Sequence, residues 1–132
     1  MFKVTVYTIG KVKEPWLEAG LNEYTKRLKK VMIIDWVLLK NLEELKITNY
    51  ICLDTKGKEM TSEEFSSWVI KQGSRLNLVI GGPEGIPDKI RKQASSLISL
   101  SKLTFTHQMI RLILVEQLYR AMEIDRGSSY HK

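Results

Sequence analysis

Leu76-Asn77-Leu78-Val79-Ile80-Gly81-Gly82-Pro83-Glu84-Gly85-Ile86-Pro87 joins a short apolar run to a glycine loop and then to a proline that suits the first turn of a helix. Strand, loop and helix in that order make one unit of an α/β chain, and the same unit recurs on both sides. Upstream, residues 2–9 alternate with β-branched side chains and predict a strand that Gly10 ends. Pro15 opens a helix whose Leu17, Leu21, Tyr24 and Leu28 share one face. Residues 31–39 read as a second strand interrupted by Asp35, residues 41–46 as a short helical turn, and residues 49–54 as a third strand. Lys56-Gly57-Lys58 reads as a turn. Thr61 and Glu64 form a capping box before a helix with Phe65, Trp68 and Val69 on its core side. Downstream, the spacing predicts a helix over 87–97, a last strand over 98–103, and a helix from the cap Thr106 to Asp125 with Gly127 beyond its end. Repeated strand–helix units predict an α/β fold with a mainly parallel sheet and helices on both faces, in a single domain spanning residues 1–132.

Size and composition agree with that. A chain of 132 residues, 43% hydrophobic and 27% charged, has the balance of a soluble globular domain and needs no disulfide staple. Its single cysteine, Cys52, lies in the apolar run Tyr50-Ile51-Cys52-Leu53 and is expected to be a small buried hydrophobe. One cysteine makes no internal disulfide, and no metal-ligand spacing is present, so no metal is expected. The opening residues lack the long apolar core of a signal peptide, and no run approaches the roughly 18 apolar residues that span a bilayer. A cytoplasmic protein without a membrane partner is expected. The net charge of +6 suits a polyanion. Lys11, Lys13, Lys26, Arg27, Lys29 and Lys30 are candidates for phosphate contact, although the last four also complement the dipole of the helix that they close.

Three strand ends draw attention, because ligands of open α/β sheets sit beyond the carboxyl ends of strands. They are Leu53-Asp54, Gly81-Gly82 and residues 100–105. Glycines after a strand let backbone approach a ligand, yet neither G-x-G-x-x-G nor a phosphate-loop pattern is present. His107 and His131 stand far apart, and no Ser-His-Asp order is evident. The last helix has two apolar faces, Ile110/Ile113/Leu114/Leu118/Ala121 and Leu112/Val115/Tyr119/Met122, with a narrow stripe of Glu116, Arg120 and Glu123. A helix apolar on nearly all sides is buried, inside the domain or at a subunit interface.

Several segments together point to one family. Leu53-Asp54, Lys56-Gly57-Lys58, Ser62-Glu63-Glu64-Phe65 and Val79-Ile80-Gly81-Gly82-Pro83-Glu84-Gly85 come in its order. So do residues 100–107, Arg111, Glu116-Gln117-Leu118-Tyr119-Arg120-Ala121 and Tyr130-His131-Lys132. Ile9-Gly10-Lys11 and Glu23-Tyr24-Thr25-Lys26-Arg27-Leu28 fit as well. This chain closely resembles the ribosomal RNA large subunit methyltransferase H family of SPOUT methyltransferases over nearly its whole length. The stretch between Asp35 and Leu53 is shorter than the family pattern.

The resemblance implies a parallel sheet with a C-terminal trefoil knot, and a homodimer. It implies S-adenosylmethionine as cofactor, held by Leu53, Gly81, Leu100, Ser101, Lys102, Leu103, Thr104 and Phe105. It implies methylation of N3 of a pseudouridine in large-subunit (23S) ribosomal RNA, on assembled ribosomes. Loss of the imide proton leaves charge on the flanking carbonyl oxygens, which donors stabilise. Arg111, Tyr130 and His131 are the residues expected to serve the base, with His131 as a candidate proton acceptor. Residues 128–132 are expected to reach the partner subunit's pocket, and His107 to cap the last helix or take part in the chemistry. The alternatives are a non-catalytic basic RNA-binding module and an enzyme that binds a nucleotide phosphate; the first needs no cofactor loops, and the second lacks its phosphate loop.

Overall fold

Every second residue of the first strand, β1 (Phe2–Ile9), is buried: Val4, Val6 and Thr8 keep 1% of their surface or less. In the computed structural model, which describes residues 1–132, this alternation sorts side chains onto the two faces of a sheet. The elements that follow are α1 (Pro15–Leu28), β2 (Met32–Leu39), a single 3-10 turn (Leu42–Glu44), β3 (Ile51–Glu59), α2 (Ser62–Lys71), β4 (Arg75–Val79), α3 (Asp88–Gln93), β5 (Ser96–Ser99) and α4 (Met109–Asp125). The five strands lie in the order β2-β1-β4-β3-β5, and every neighbouring pair is parallel. Parallel neighbours need crossovers, and the helices supply them.

The two faces are covered unequally. Val4, Val6, Leu53, Leu78, Ile80 and Ile98 pack with Leu17, Leu21, Phe65, Val69, Leu114 and Leu118, so α1, α2 and α4 cover one face. Leu17, Leu28, Leu114 and Leu118 have no exposed surface; each contributes on the order of 1.5–3 kcal/mol by leaving water. The other face is covered by a smaller cluster of Leu42, Tyr50, Cys52, Val79 and Ile90, from the 3-10 turn and α3. Cys52 is buried there, and burial raises its thiol to about 11, which makes it unreactive. The Thr61–Glu64 capping box forms as read. Thr106 accepts a hydrogen bond from the N–H of Met109 at 3.1 Å, and Gly127 (φ 74°) ends α4.

Three elements differ in their bounds from the sequence reading. Lys56-Gly57-Lys58 does not end the third strand: residues 54–57 bulge out, and β3 resumes its pairing with β5 at Lys58 and Glu59. A Cβ on Gly57 would lie 2.6 Å from backbone atoms of Leu97 and Ile98. Glycine is there because two backbones lie at contact distance, not because the chain turns back. The helix expected over 87–97 is only Asp88–Gln93, and the last strand begins at Ser96 rather than residue 98. The N–H of Ser95 donates to the Tyr50 carbonyl and its hydroxyl to Asn49, drawing the chain into the sheet early. That strand ends at Ser99; Ser101 then folds residues 101–103 into a local turn through a hydrogen bond from Leu103 N–H.

Candidate functional site

Three connections at the carboxyl end of the sheet enclose a cleft of about 490 Å³. Small-molecule sites span ~300–1,000 Å³. The walls are the β3 bulge (Leu53, Asp54, Thr55), residues 80–86 after β4, and residues 99–107 leading into α4. The glycines of the second wall have a local cause. A Cβ on Gly81 would lie 2.8 Å from the backbone of Gly85, and one on Gly82 would lie 2.8 Å from Ile9. Gly82 and Gly85 also bridge, and Gly85 has φ 80°. The loop is glycine-rich first because it closes on itself and against β1; the backbone facing the cleft follows from that closure.

Of the residues read as cofactor contacts, Leu53, Gly81, Leu100, Ser101, Leu103, Thr104 and Phe105 line the cleft. Lys102 does not. Its side chain is 80% exposed and pairs with Glu59 at 3.4 Å. No lysine or arginine lines the cleft, although the chain has 21 of them. The lining is aliphatic, aromatic and hydroxyl-bearing, with Asp54 as its carboxylate, and Asp54 is held by Arg91 at 3.5 Å and by Lys56 N–H at 2.8 Å. His107 is its imidazole, 3.4 Å from the Gln108 amide. Burial first, then the charges of Arg111 and Lys13, hold His107 below its usual value of 6.5. The ring is therefore neutral near pH 7. No group of three or more His, Cys, Asp or Glu side chains is placed to hold a metal, and no helix is long and apolar enough to cross a membrane.

The three residues read as serving a base lie outside this lining. Arg111 has no exposed surface, and its guanidinium donates to the Ile9 and Gly10 carbonyls at 2.8 and 2.9 Å. That placement corrects the expectation of a direct base contact: Arg111 fastens α4 to the end of β1, which in turn abuts Gly82. Tyr130 donates to Glu116 at 2.8 Å and packs edge-on against Tyr119. Burial and then the Glu116 bond push its phenol well above its usual value, so it stays a donor. His131 lies 3.0 Å from Arg120 and 3.2 Å from Glu63. Glu116 and Arg120 lie roughly 9 and 15 Å along α4 from Ile110, the last cleft residue. Within one protomer no tail residue lines the cleft. Thr55, Ile86 and Ser99 are lining residues that the sequence did not single out as site residues, and Ile110 was read only as part of an apolar helix face; their neighbours in the motifs were the available signal.

A parallel α/β domain with an uncharged-to-acidic nucleoside-sized cleft at its strand ends defines a class, and comparison with known proteins supplies the family. The family model described as "Predicted SPOUT methyltransferase" matches residues 2–131, so the chain belongs to the SPOUT methyltransferases. Within that family it is 50% identical over 141 aligned positions, covering all of both chains, to a protein of Protochlamydia amoebophila (strain UWE25) named ribosomal RNA large subunit methyltransferase H. It is 39% identical to the protein of that name in Prochlorococcus marinus (strain MIT 9515), over 98% of this chain and 96% of the relative. It is likewise 39% identical to that of Exiguobacterium sp. (strain ATCC BAA-1283 / AT1b), over 98% and 99%. The last alignment runs over 157 positions against 132 residues here, so that relative carries segments this chain lacks.

Proposed function

We propose that this chain is a cytoplasmic, homodimeric methyltransferase that uses S-adenosylmethionine to modify N3 of a pseudouridine in 23S ribosomal RNA on the ribosome. One observation carries the reading: a strongly basic chain has a cleft with no lysine or arginine in its lining. Phosphate-bearing nucleotides are held by cations and glycine-rich helix starts. A nucleoside that carries a sulfonium is itself cationic and is suited by hydroxyls, apolar walls and the Asp54 carboxylate. Bound S-adenosylmethionine supplies a methyl group on an electrophilic sulfur. Leu53, Gly81, Leu100, Ser101, Leu103, Thr104 and Phe105 are the residues that hold it, with apolar side chains and loop backbone against the adenosine. The names of the relatives support the RNA substrate.

The protein's own part in the reaction is to orient the base and manage one proton. The imide nitrogen must lose its hydrogen as it gains the methyl group. His107, neutral and in the cleft, is placed to accept it. The tail, delivered from the partner subunit, brings Tyr130 as a donor to the carbonyl oxygens beside that nitrogen and His131 as a second acceptor. Arg111 acts by position: it holds β1, and its charge adds to the burial that keeps His107 uncharged.

Calorimetric titration with S-adenosylmethionine, followed by methyl transfer to ribosomes from unmodified cells, tests the reading. Saturable binding and a methyl group on 23S RNA are expected. A folded protein that binds RNA but not the cofactor would instead be a non-catalytic module.

A further inference from the structure

The end of the sheet opposite the cleft is a basic rim. There β1, β2 and β4 begin, and α1, α2 and α4 end. Phe2 N–H donates to Val31 and Lys3 N–H to Ser74, so the segments that enter the three strands lie side by side. Onto this rim project Lys26, Lys29 and Lys30 from the end of α1, Lys71 from the end of α2 and Arg75 from the start of β4, all exposed. None of these five is in an ion pair. The other cations of the rim are neutralised: Lys3 by Asp35, Arg27 by Glu23 and Arg126 by Glu123. Asp125 is the carboxylate left over.

Helix dipoles explain part of this. A cation in a helix's last turn is worth ~0.3–1 kcal/mol, and the effect fades beyond that turn. Lys30 lies two residues past α1, and Arg75 opens a strand, so the dipoles do not account for them. β1 separates the rim from Ile9 beside the cleft; at ~3.3 Å per residue its length is roughly 23 Å.

We propose that this rim is a second polyanion-docking surface, which grips RNA phosphates at a distance from the cleft of the same protomer. The proposal rests on the chain being an RNA methyltransferase. Along one strand the gap corresponds to roughly seven nucleotide steps of ~3.4 Å. A short RNA in the cleft cannot reach the rim; a long one reaches both, and the cleft then needs no cations of its own.

The test compares oligouridylates of about 5 and about 40 nucleotides, binding to the wild type and to K26A/K29A/K30A/R75A over a range of salt. Each phosphate contact contributes about 0.7 to the slope of log affinity against log salt for single strands. The variant's slope for the long RNA should fall by about 2.8, with at least roughly tenfold weaker binding at low salt. The short RNA, which can occupy the rim or the cleft but not both, should lose less. Unchanged long-RNA binding overturns the proposal. Calorimetry with S-adenosylmethionine checks that the variant is folded. If it is not, Lys30→Gln and Arg75→Gln singly should each lower the slope by about 0.7. Binding to phosphatidylserine vesicles that the variant loses, with RNA binding intact, would assign the rim to membranes and overturn it too. A wild type that binds neither oligouridylate overturns the rim, whereas failure to methylate 23S RNA on ribosomes from unmodified cells would refute the methyltransferase reading itself. A wild type that methylates 23S RNA while the variant keeps its slope refutes the rim alone.

Discussion

Arg111 shows how far burial changes what a residue means. In sequence it is a cation beside a conspicuous block, and arginines are rarely buried. In the structure it is sealed, with its Nε unpaired and two carbonyls satisfied by its far nitrogen. Removing it strands both carbonyls and leaves a cavity. Arg111→Ala should therefore cost about 2–4 kcal/mol in urea unfolding; a loss under ~0.5 kcal/mol would mean that the clamp is not structural. His107 gives a second prediction. Its folded value lies below 6.5, so it is neutral at pH 7 and protonates as the pH falls through that lower value. A base must be unprotonated to act, so methyl transfer should decline as pH falls below that point, and His107→Gln should be slower by roughly 10²–10⁴-fold. A variant with undiminished rate would remove His107 from the chemistry. Stability moves the same way: the unfolded chain binds the proton at higher pH, so acidification costs stability in that window. His107 was already a candidate for the chemistry from its place at the start of α4, but the Arg111 clamp was not legible, because it depends on which residues from β1 lie against that helix.

At the scale of elements, the sequence was most informative where periodicity or caps act locally. β1, α1 and α2 came out close to their observed bounds, since alternation, Pro15 and the Thr61–Glu64 box each act within a few residues. The cleft was legible as three strand ends, because the site is built from consecutive loop residues. What sequence misassigned was contact between distant segments. Lys56-Gly57-Lys58 has the composition of a turn, and nothing local says that Leu97 and Ile98 pass 2.6 Å from where a side chain would begin. Gly57→Ala must move one of two backbones. It should destabilise by about 1–3 kcal/mol or more, since overpacking of this kind is not relieved by rotating a side chain. The closest Gly82 contact is with the movable Cδ1 of Ile9 at 2.8 Å, with the Ile9 Cβ at 3.1 Å and no backbone atom below 3.0 Å, so Gly82→Ala should be milder than Gly57→Ala. Thermal melts of the two variants give the comparison; equal effects would show that the β3–β5 contact can relax. Gly81→Ala pushes into the backbone of Gly85 and should weaken binding of S-adenosylmethionine more than it lowers stability.

The whole molecule poses a question that no single protomer answers. Tyr130 and His131 are held by Glu116, Arg120 and Glu63, on the flank of α4 beyond its cleft-lining turn. The cleft lies at the start of that helix. In the proposed homodimer the tail would serve the other copy's cleft, and two-fold symmetry would make the exchange reciprocal. Deleting residues 128–132 should abolish methyl transfer while cofactor binding persists, since no lining residue is removed. A sharper experiment pairs that truncation with Gly81→Ala on a separate chain. Each homodimer is expected to be inactive, the first for want of tails and the second for want of clefts. Co-expressed, they form mixed dimers in which the sound cleft of the truncated chain meets the sound tail of the other. With random assortment about a quarter of wild-type sites should work. Tails acting within their own protomer would give none, because no chain in the mixture then has both parts. Recovered activity would therefore place the active site between subunits, and would tie the narrow polar stripe of α4 to parking the tail when no partner is engaged.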